Sequence, residues 1–289
     1  MNYKDFFDKS VDYLKKDYNT FIECQKVIKD IFSVFNKLCQ DHNIPYAKFF
    51  GSLIGEIRDG GMIPWDPDMD VCVAIDQIPH LIEVLSTYLP DEYFFISNFT
   101  DPEFKYFQIK IGKKGYDVYA IHLDVFYLLG VPANVKEEKF LSEVARVYFM
   151  RHRCIESRKS RIEVSNPERS LAGFYARKLQ AKIQSRFLGI SAIDRKFNML
   201  CNACDYRTSK RICVMEDPSC VYNHSDIEPM KFEFINGQSI GMPSNPVAVL
   251  NSTYEKYMEY PSIETCFDEY HDYMKWYRKL QSENNRKLQ

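Results

Sequence analysis

The sequence predicts an α+β fold, with a small sheet and flanking helices in the first half and a mainly helical second half. Three observations lead there. Phe21, Cys24, Val27, Ile28, Ile31, Val34, Phe35 and Leu38 recur at helical spacing and form one apolar stripe. Between Ala47 and Phe126, short apolar runs alternate with turn residues, the pattern of strands. After Pro132 the character changes to helices.

Taken in order, the first forty residues read as helix, ended by Asp41-His42-Asn43 and Pro45. A short strand from Ala47 to Phe50 meets Gly51-Ser52, and a helix follows from Leu53 to about Asp59. Gly60-Gly61 breaks it. From Asp68 to Val71 carboxylates alternate with apolar residues, which is strand periodicity. Ile78 to Tyr88 is amphipathic at helical spacing. Phe94 to Ser97, Phe104 to Ile111 and Val118 to Phe126 read as strands, with a turn at Gly112-Lys113-Lys114-Gly115.

Helices are expected over Glu137 to Met150, Pro167 to Phe187, Ile193 to Cys201, Pro246 to Tyr257 and Ile263 to Lys287. Asn245-Pro246 is a start signal, with asparagine as N-cap and proline in the first turn. The expected organisation is a core over residues 1–130 and a helical part over 131–289 packed on it across a cleft, or one continuous domain.

Composition narrows the function classes. The apolar share is 45% and the charged share 27%, which excludes a mainly disordered chain. Forty acidic against thirty-eight basic residues leave a net charge of −2, a poor balance for binding nucleic acid through its phosphates. Aromatic content is 15%, enough ring surface for a core and for a site that wants it. No basic stretch followed by an apolar run opens the chain, and no segment reads as a membrane helix. A soluble, cytoplasmic protein is expected. Nine cysteines, an odd number, argue against a complete disulfide framework.

The chemistry concentrates at Gly51-Ser52 and Asp68-x-Asp70. A glycine lets backbone amides approach an anion closely, and the helix expected to follow points its positive end there; a phosphate is the natural occupant. On a strand, Asp68 and Asp70 project from one face. Paired carboxylates repel unless solvated or bridged by a hard cation such as Mg²⁺. Asp124, in His122-Leu123-Asp124-Val125-Phe126, supplies a third acid on another strand. Three carboxylates beside a phosphate turn suit metal-assisted phosphoryl transfer; solvent-facing strand acids are the alternative.

The run Phe50-Gly-Ser-Leu-Ile-Gly-Glu-Ile-Arg-Asp-Gly-Gly-Met-Ile-Pro-Trp-Asp-Pro-Asp-Met-Asp-Val71 resembles the signature of the LicD family. The resemblance extends to His42-Asn43-Ile44-Pro45-Tyr46, to the His122–Phe126 strand and to Met242-Pro-Ser-Asn-Pro246 with Tyr254-Glu-Lys-Tyr-Met258. It covers roughly residues 22 to 260. It implies a nucleotidyltransferase-like small mixed sheet and a Mg²⁺- or Mn²⁺-dependent enzyme. Such an enzyme moves a phospho-alcohol group, phosphocholine first among the candidates, from a CDP-activated alcohol such as CDP-choline to a glycan or glycolipid hydroxyl, with release of CMP.

Carried onto this chain, the resemblance makes Asp68, Asp70 and Asp124 the catalytic metal carboxylates, with Asp66 a lower-ranked addition. Asp124 would also accept or polarise the acceptor's proton. Gly51 and Ser52 would bind phosphate. Pro67 departs from the more polar residue that relatives often carry there, which bears on Asp66 more than on Asp68 or Asp70. The competing functions are transfer of a whole nucleotide monophosphate and non-catalytic binding on the same fold.

Other residues carry two readings each. Lys110 neutralises a leaving nucleotide or is an exposed strand lysine. Arg58 clamps a phosphate bidentately or pairs with a motif carboxylate. Trp65 shapes the aspartate loop, or stacks on a base or a quaternary ammonium. His122 is a ligand or base, or a satisfied half-buried histidine. Cys201, Cys204, Cys213 and Cys220 fall within twenty residues and suit a structural zinc; their spacing is not that of a standard ribbon, and buried free thiols are the alternative. Arg151, Arg153, Arg158, Lys159 and Arg161 form either a surface for phosphorylated glycans or a membrane, or a solvated helix end balanced by Glu156 and Glu163.

Overall fold

The computed structural model describes residues 18–158, 189–262, 265–266 and 272–279 of the 289-residue chain. They form two compact units. One holds the described residues of Met1–Phe95, Ile109–Phe126 and His224–Gln289; the other holds those of Ile96–Gln108 and Tyr127–Asn223. The stretch from His224 onward groups with the N-terminal one, so the division does not follow the expected break at residue 130.

In the first unit, helix α1 (Tyr18–Asp41) buries Phe21, Cys24, Ile28, Ile31, Phe35 and Leu38, the stripe the periodicity marks. Its end turns through Asn43 at φ 54°, a left-handed conformation that asparagine tolerates. Strand β1 (Ala47–Lys48) runs antiparallel to β2 (Met69–Ala74), with Ala47 opposite Cys72 and Lys48 opposite Val71. The strand expected as far as Phe50 is shorter, because helix α2 (Phe50–Ile54) already begins there. This helix widens into a π-turn over Gly55–Asp59 and stops at Gly60, whose φ of 73° breaks the helical path.

Helix α3 (Ile78–Tyr88) has the expected bounds, with Pro79 in its first turn. Strands β3 (Tyr93–Ser97), β4 (Gln108–Lys113) and β5 (Leu123–Gly130) complete the order β1-β2-β5-β4-β3. That order matters for function. It makes β5 the neighbour of both β2 and β4, so Asp124 stands beside the strand of Asp70 on one side and that of Lys110 on the other. Interior strands are covered on both faces, which is why Val71, Cys72 and Val73 are all fully buried.

The C-terminal part of this unit is less helical than expected. After the short helix α6 (His224–Ile227), a hairpin of β8 (Lys231–Ile235) and β9 (Gln238–Met242) turns at Asn236 and Gly237, both at positive φ. A Cβ on Gly241 would stand 2.2 Å from the Tyr46 carbonyl oxygen, so only glycine lets β9 lie against β1. At the tip, Asn236 Nδ2 donates to the Gly60 carbonyl at 2.7 Å. Helix α7 (Pro246–Thr253) starts as its signal predicts, with Asn245 accepting from the Ala248 amide, and ends four residues before the expected Tyr257. Residues 272–279 are helical, and Tyr273 and Met274 pack on Phe21.

In the second unit, Leu128–Gly130 of β5 pair with β6 (Arg211–Val214), which pairs with β7 (Val221–Asn223), both antiparallel. Among the described residues the second half of the chain therefore contributes four strands that helical periodicity does not reveal. Helix α4 (Glu137–Arg158) packs on α5 (Ile190–Cys201), and Phe107 stacks on Phe197 with ring centroids 4.3 Å apart. Arg151 is no part of a basic surface. Its side chain is wholly buried, donates to the Phe104 carbonyl at 2.9 Å and pairs with Asp194. Lys159, Arg161 and the helix expected over Pro167 to Phe187 lie outside the described residues.

Candidate active site

Four acids converge in the first unit. Asp70 is the second residue of β2, Asp68 immediately precedes that strand, and Asp124 is the second residue of β5. Burial pushes the Asp70 carboxyl well above the usual carboxylate range, and the charges of Asp68, Asp124 and Asp66 push it further; Lys110 pulls the other way. Asp124 behaves oppositely. Burial raises it, but His122 and Lys110 more than offset that and hold it below the ordinary range. Lys110 Nζ lies 2.6 Å from Asp124 Oδ1 and 2.8 Å from His122 Nε2, which is 3.2 Å from Asp124 Oδ2.

Lys110 is thus a buried partner of Asp124 and not an exposed strand lysine. His122 is less satisfied than its strand position suggests, since its Nδ1 is buried with no hydrogen-bond partner among the described residues. Asp70 and Asp124 differ because Lys110 of β4 and His122, just ahead of β5, reach Asp124, while the charges acting on Asp70 are mostly those of Asp68, Asp124 and Asp66.

Ser52 and Gly51 are built into this arrangement. The backbone amide of Asp70 donates to Ser52 Oγ at 2.8 Å, and the Phe49 amide donates to the Asp70 carbonyl at 3.1 Å. Because α2 opens at Phe50, Gly51 and Ser52 sit inside its first turn, not ahead of a helix starting at Leu53. Phe50 itself has φ 43°. The space over Gly51 is already taken: a Cβ there would meet Asp66 Oδ2 at 2.7 Å. A phosphate arriving at this turn therefore faces a carboxylate, and the two anions suit one another only with a cation between them.

The loop bearing the acids is held from two sides. Gln25 of α1 points its amide at the carbonyls of Ile63, Pro64 and Asp66. Arg58 pairs with Asp59 at 2.9 Å and donates to the Tyr257 carbonyl at 3.1 Å. Its guanidinium lies over the rings of Trp65 and Tyr260, 5.5 and 4.5 Å from their centroids, and Tyr260 donates to Asp59 at 2.6 Å. The structure places Arg58 in a structural nest and not at a phosphate, and the faces of Trp65 and Tyr260 that suit a cation already hold one. Gln25 was missing from the sequence reading. Its signal was a carboxamide inside the apolar stripe, between Cys24 and Ile28.

Among the described residues, no three histidine, cysteine, aspartate or glutamate side chains stand together closely enough to hold a metal ion. Cys201, Cys204, Cys213 and Cys220 are free thiols, the first, second and fourth half-buried and Cys213 buried. Burial raises Cys201 and Cys213 to about 12 and Cys220 to about 11, so these thiols keep their protons near neutrality, and Cys220 points to Asp217 Oδ2 at 3.3 Å. For the acids the chemistry does fit a cation. The donors are hard oxygens, Mg²⁺ needs only one or two carboxylates beside substrate phosphates, and burial with the neighbouring acids makes the charge on Asp70 costly. Asp124 is engaged by both Lys110 and His122.

A small sheet whose neighbouring strands bring carboxylates together beside a helix-opening Gly-Ser defines a nucleotidyltransferase-type domain. Residues 43–159, fewer than half of the chain, match the family described as LicD/FKTN/FKRP, nucleotidyltransferase domain. A stretch of 65 residues is 40% identical to the lipopolysaccharide cholinephosphotransferase LicD of Haemophilus influenzae. That stretch is 22% of this chain and 24% of the relative, so the match spans about a quarter of the relative's length. Among the described residues no helix is long and apolar enough to cross a membrane.

Proposed function

We propose that this protein transfers a phospho-alcohol group, phosphocholine before others, from a CDP-activated alcohol to a glycan hydroxyl and releases CMP. The observation that carries the reading is the placement of Asp70 on β2, with Asp68 just ahead of it, beside Asp124 on the neighbouring strand β5. The name of the Haemophilus relative supports phosphocholine as the group moved.

Asp68 and Asp70 would hold a Mg²⁺ or Mn²⁺, with Asp124 as the third carboxylate and Asp66 supporting. Bound there, the cation supplies charge neutralisation for the diphosphate and its leaving CMP. The chain's own groups do the rest. Ser52 fixes the backbone at Asp70 and presents its hydroxyl at the same turn. Lys110 and His122 keep Asp124 ionised, so that it accepts a hydrogen bond from the incoming acceptor hydroxyl and polarises it. Attack at phosphorus then forms the new P–O bond on the acceptor, the bond to the CMP oxygen breaks, and the acceptor's proton passes to Asp124.

The test is to incubate the protein with CDP-choline, CDP-ribitol or CDP-glycerol, Mg²⁺ and a glycan acceptor, and to follow CMP and product mass. CMP release with an acceptor gaining a phospho-alcohol is expected. An acceptor gaining a whole nucleotide monophosphate, or no CMP from any donor, defeats the reading.

A further inference from the structure

Gln25 lies on the buried face of α1 and is 5% exposed. A carboxamide placed there is costly unless its protons find acceptors. Its Nε2 stands 3.2 Å from the carbonyl oxygen of Ile63, 3.1 Å from that of Pro64 and 3.0 Å from that of Asp66. Three carbonyl dipoles from four consecutive residues thus point at one nitrogen that carries two protons. Left without a donor, those oxygens repel one another and turn toward water. Within the loop, the Asp66 amide bonds the Ile63 carbonyl at 3.1 Å.

The clamped carbonyl of Asp66 is two residues before Asp68 and four before Asp70. The same residue's carboxylate lies over Gly51. From this geometry we infer that Gln25 is a positioning residue for the cation site: it draws the Ile63–Asp66 backbone onto α1 and so fixes how Asp66 and Asp68 enter the carboxylate cluster. Its three hydrogen bonds all go to main-chain oxygens, and it acts through the main chain. The inference rests on the cation site proposed above.

The experiment is an electron paramagnetic resonance titration with Mn²⁺ of the unaltered chain, Gln25→Met and Gln25→Lys. Methionine keeps the length and removes the protons; lysine offers three protons to the three oxygens. The unaltered chain binds Mn²⁺, Gln25→Met binds roughly tenfold or more weakly, in line with the loss of outer partners at metal sites, and Gln25→Lys recovers most of the affinity. Equal Mn²⁺ affinity in the unaltered chain and Gln25→Met overturns the inference and leaves the cation site standing. No Mn²⁺ uptake by the unaltered chain defeats the cation site itself.

A second measurement needs no variant. In the cation-free protein the amides of Gly61 and Asp66, which bond the Gly55 and Ile63 carbonyls, exchange slowly, and Mn²⁺ changes them little. Fast exchange that slows only on adding Mn²⁺ would mean that the cation and not Gln25 orders the loop.

Discussion

Ser52 accepts a hydrogen bond from the backbone amide of Asp70 at 2.8 Å, so the helix-opening serine and the acid of β2 are one mechanical piece. Ser52→Ala removes that acceptor and leaves a buried amide unpaired, a loss of about 1–3 kcal/mol. Urea unfolding is expected to show it, and transfer activity per folded molecule falls as well, because the strand end carrying Asp70 loses its tether.

Gly51 and Asp66 form a second pair. Gly51→Ala drives a methyl group into Asp66 Oδ2 and forces the carboxylate away. Stability falls by about 1–3 kcal/mol. Gly51→Ala combined with Asp66→Ala is less destabilised than the sum of the two single changes, which a double-mutant cycle on melting temperature measures.

The raised Asp70 carboxyl sets a pH dependence. Between the ordinary aspartate value of about 3.9 and Asp70's higher folded value, the unfolded chain ionises before the native one, so this group lowers stability as pH rises. A divalent cation competes with the proton for the same oxygens. Stabilisation by Mn²⁺ in thermal melts is therefore larger at pH 7.5 than at pH 5, and Asp70→Asn abolishes that difference.

Asp124 contributes with the opposite sign. Its depressed value stabilises the native state above about pH 3.9, and that contribution is lost as pH falls through the folded value. Lys110→Met leaves a buried carboxylate with one partner fewer and costs about 3–5 kcal/mol near neutrality. Lys110→Met with Asp124→Asn recovers much of it. Denaturant titrations from pH 3 to pH 7 check both statements.

Arg58→Lys keeps the charge but loses the planar fork on Asp59 and the stacking on Trp65 and Tyr260. The expected result is a melting temperature several degrees lower with an unchanged KM for the CDP-alcohol. A raised KM with unchanged stability would return Arg58 to the phosphate.

The acids were legible because period-2 alternation places Asp68 and Asp70 on one face, and the strand pattern around Asp124 is equally plain. Their partners were legible only in part. Lys110 and His122 stood out as polar residues on apolar strands, but the strand order that sets them against Asp124 is a long-range property that local periodicity does not carry. Of the two readings of Arg58, pairing with a motif carboxylate is what the structure shows, while Tyr257 and Tyr260, which also hold it, lie about two hundred residues away and leave no local signal. The β8–β9 hairpin was overlooked although Asn236-Gly237 is a turn signal, because its flanking strands are short and one is mostly exposed. Shortened elements such as β1 reflect a helix start that hydrogen bonding at Phe49 and Ser52 decides, not propensity.

The close crossing of Gly241 over Tyr46 ties the hairpin's seating to a distant turn. Any bulk at 241 lifts β9, the lifted hairpin withdraws Asn236 from the Gly60 carbonyl, and the stop of the helix that begins at Phe50 loses its latch. A lesion at this position, remote in sequence from every acid, is thus expected to surface as a defect in chemistry before it surfaces as unfolding.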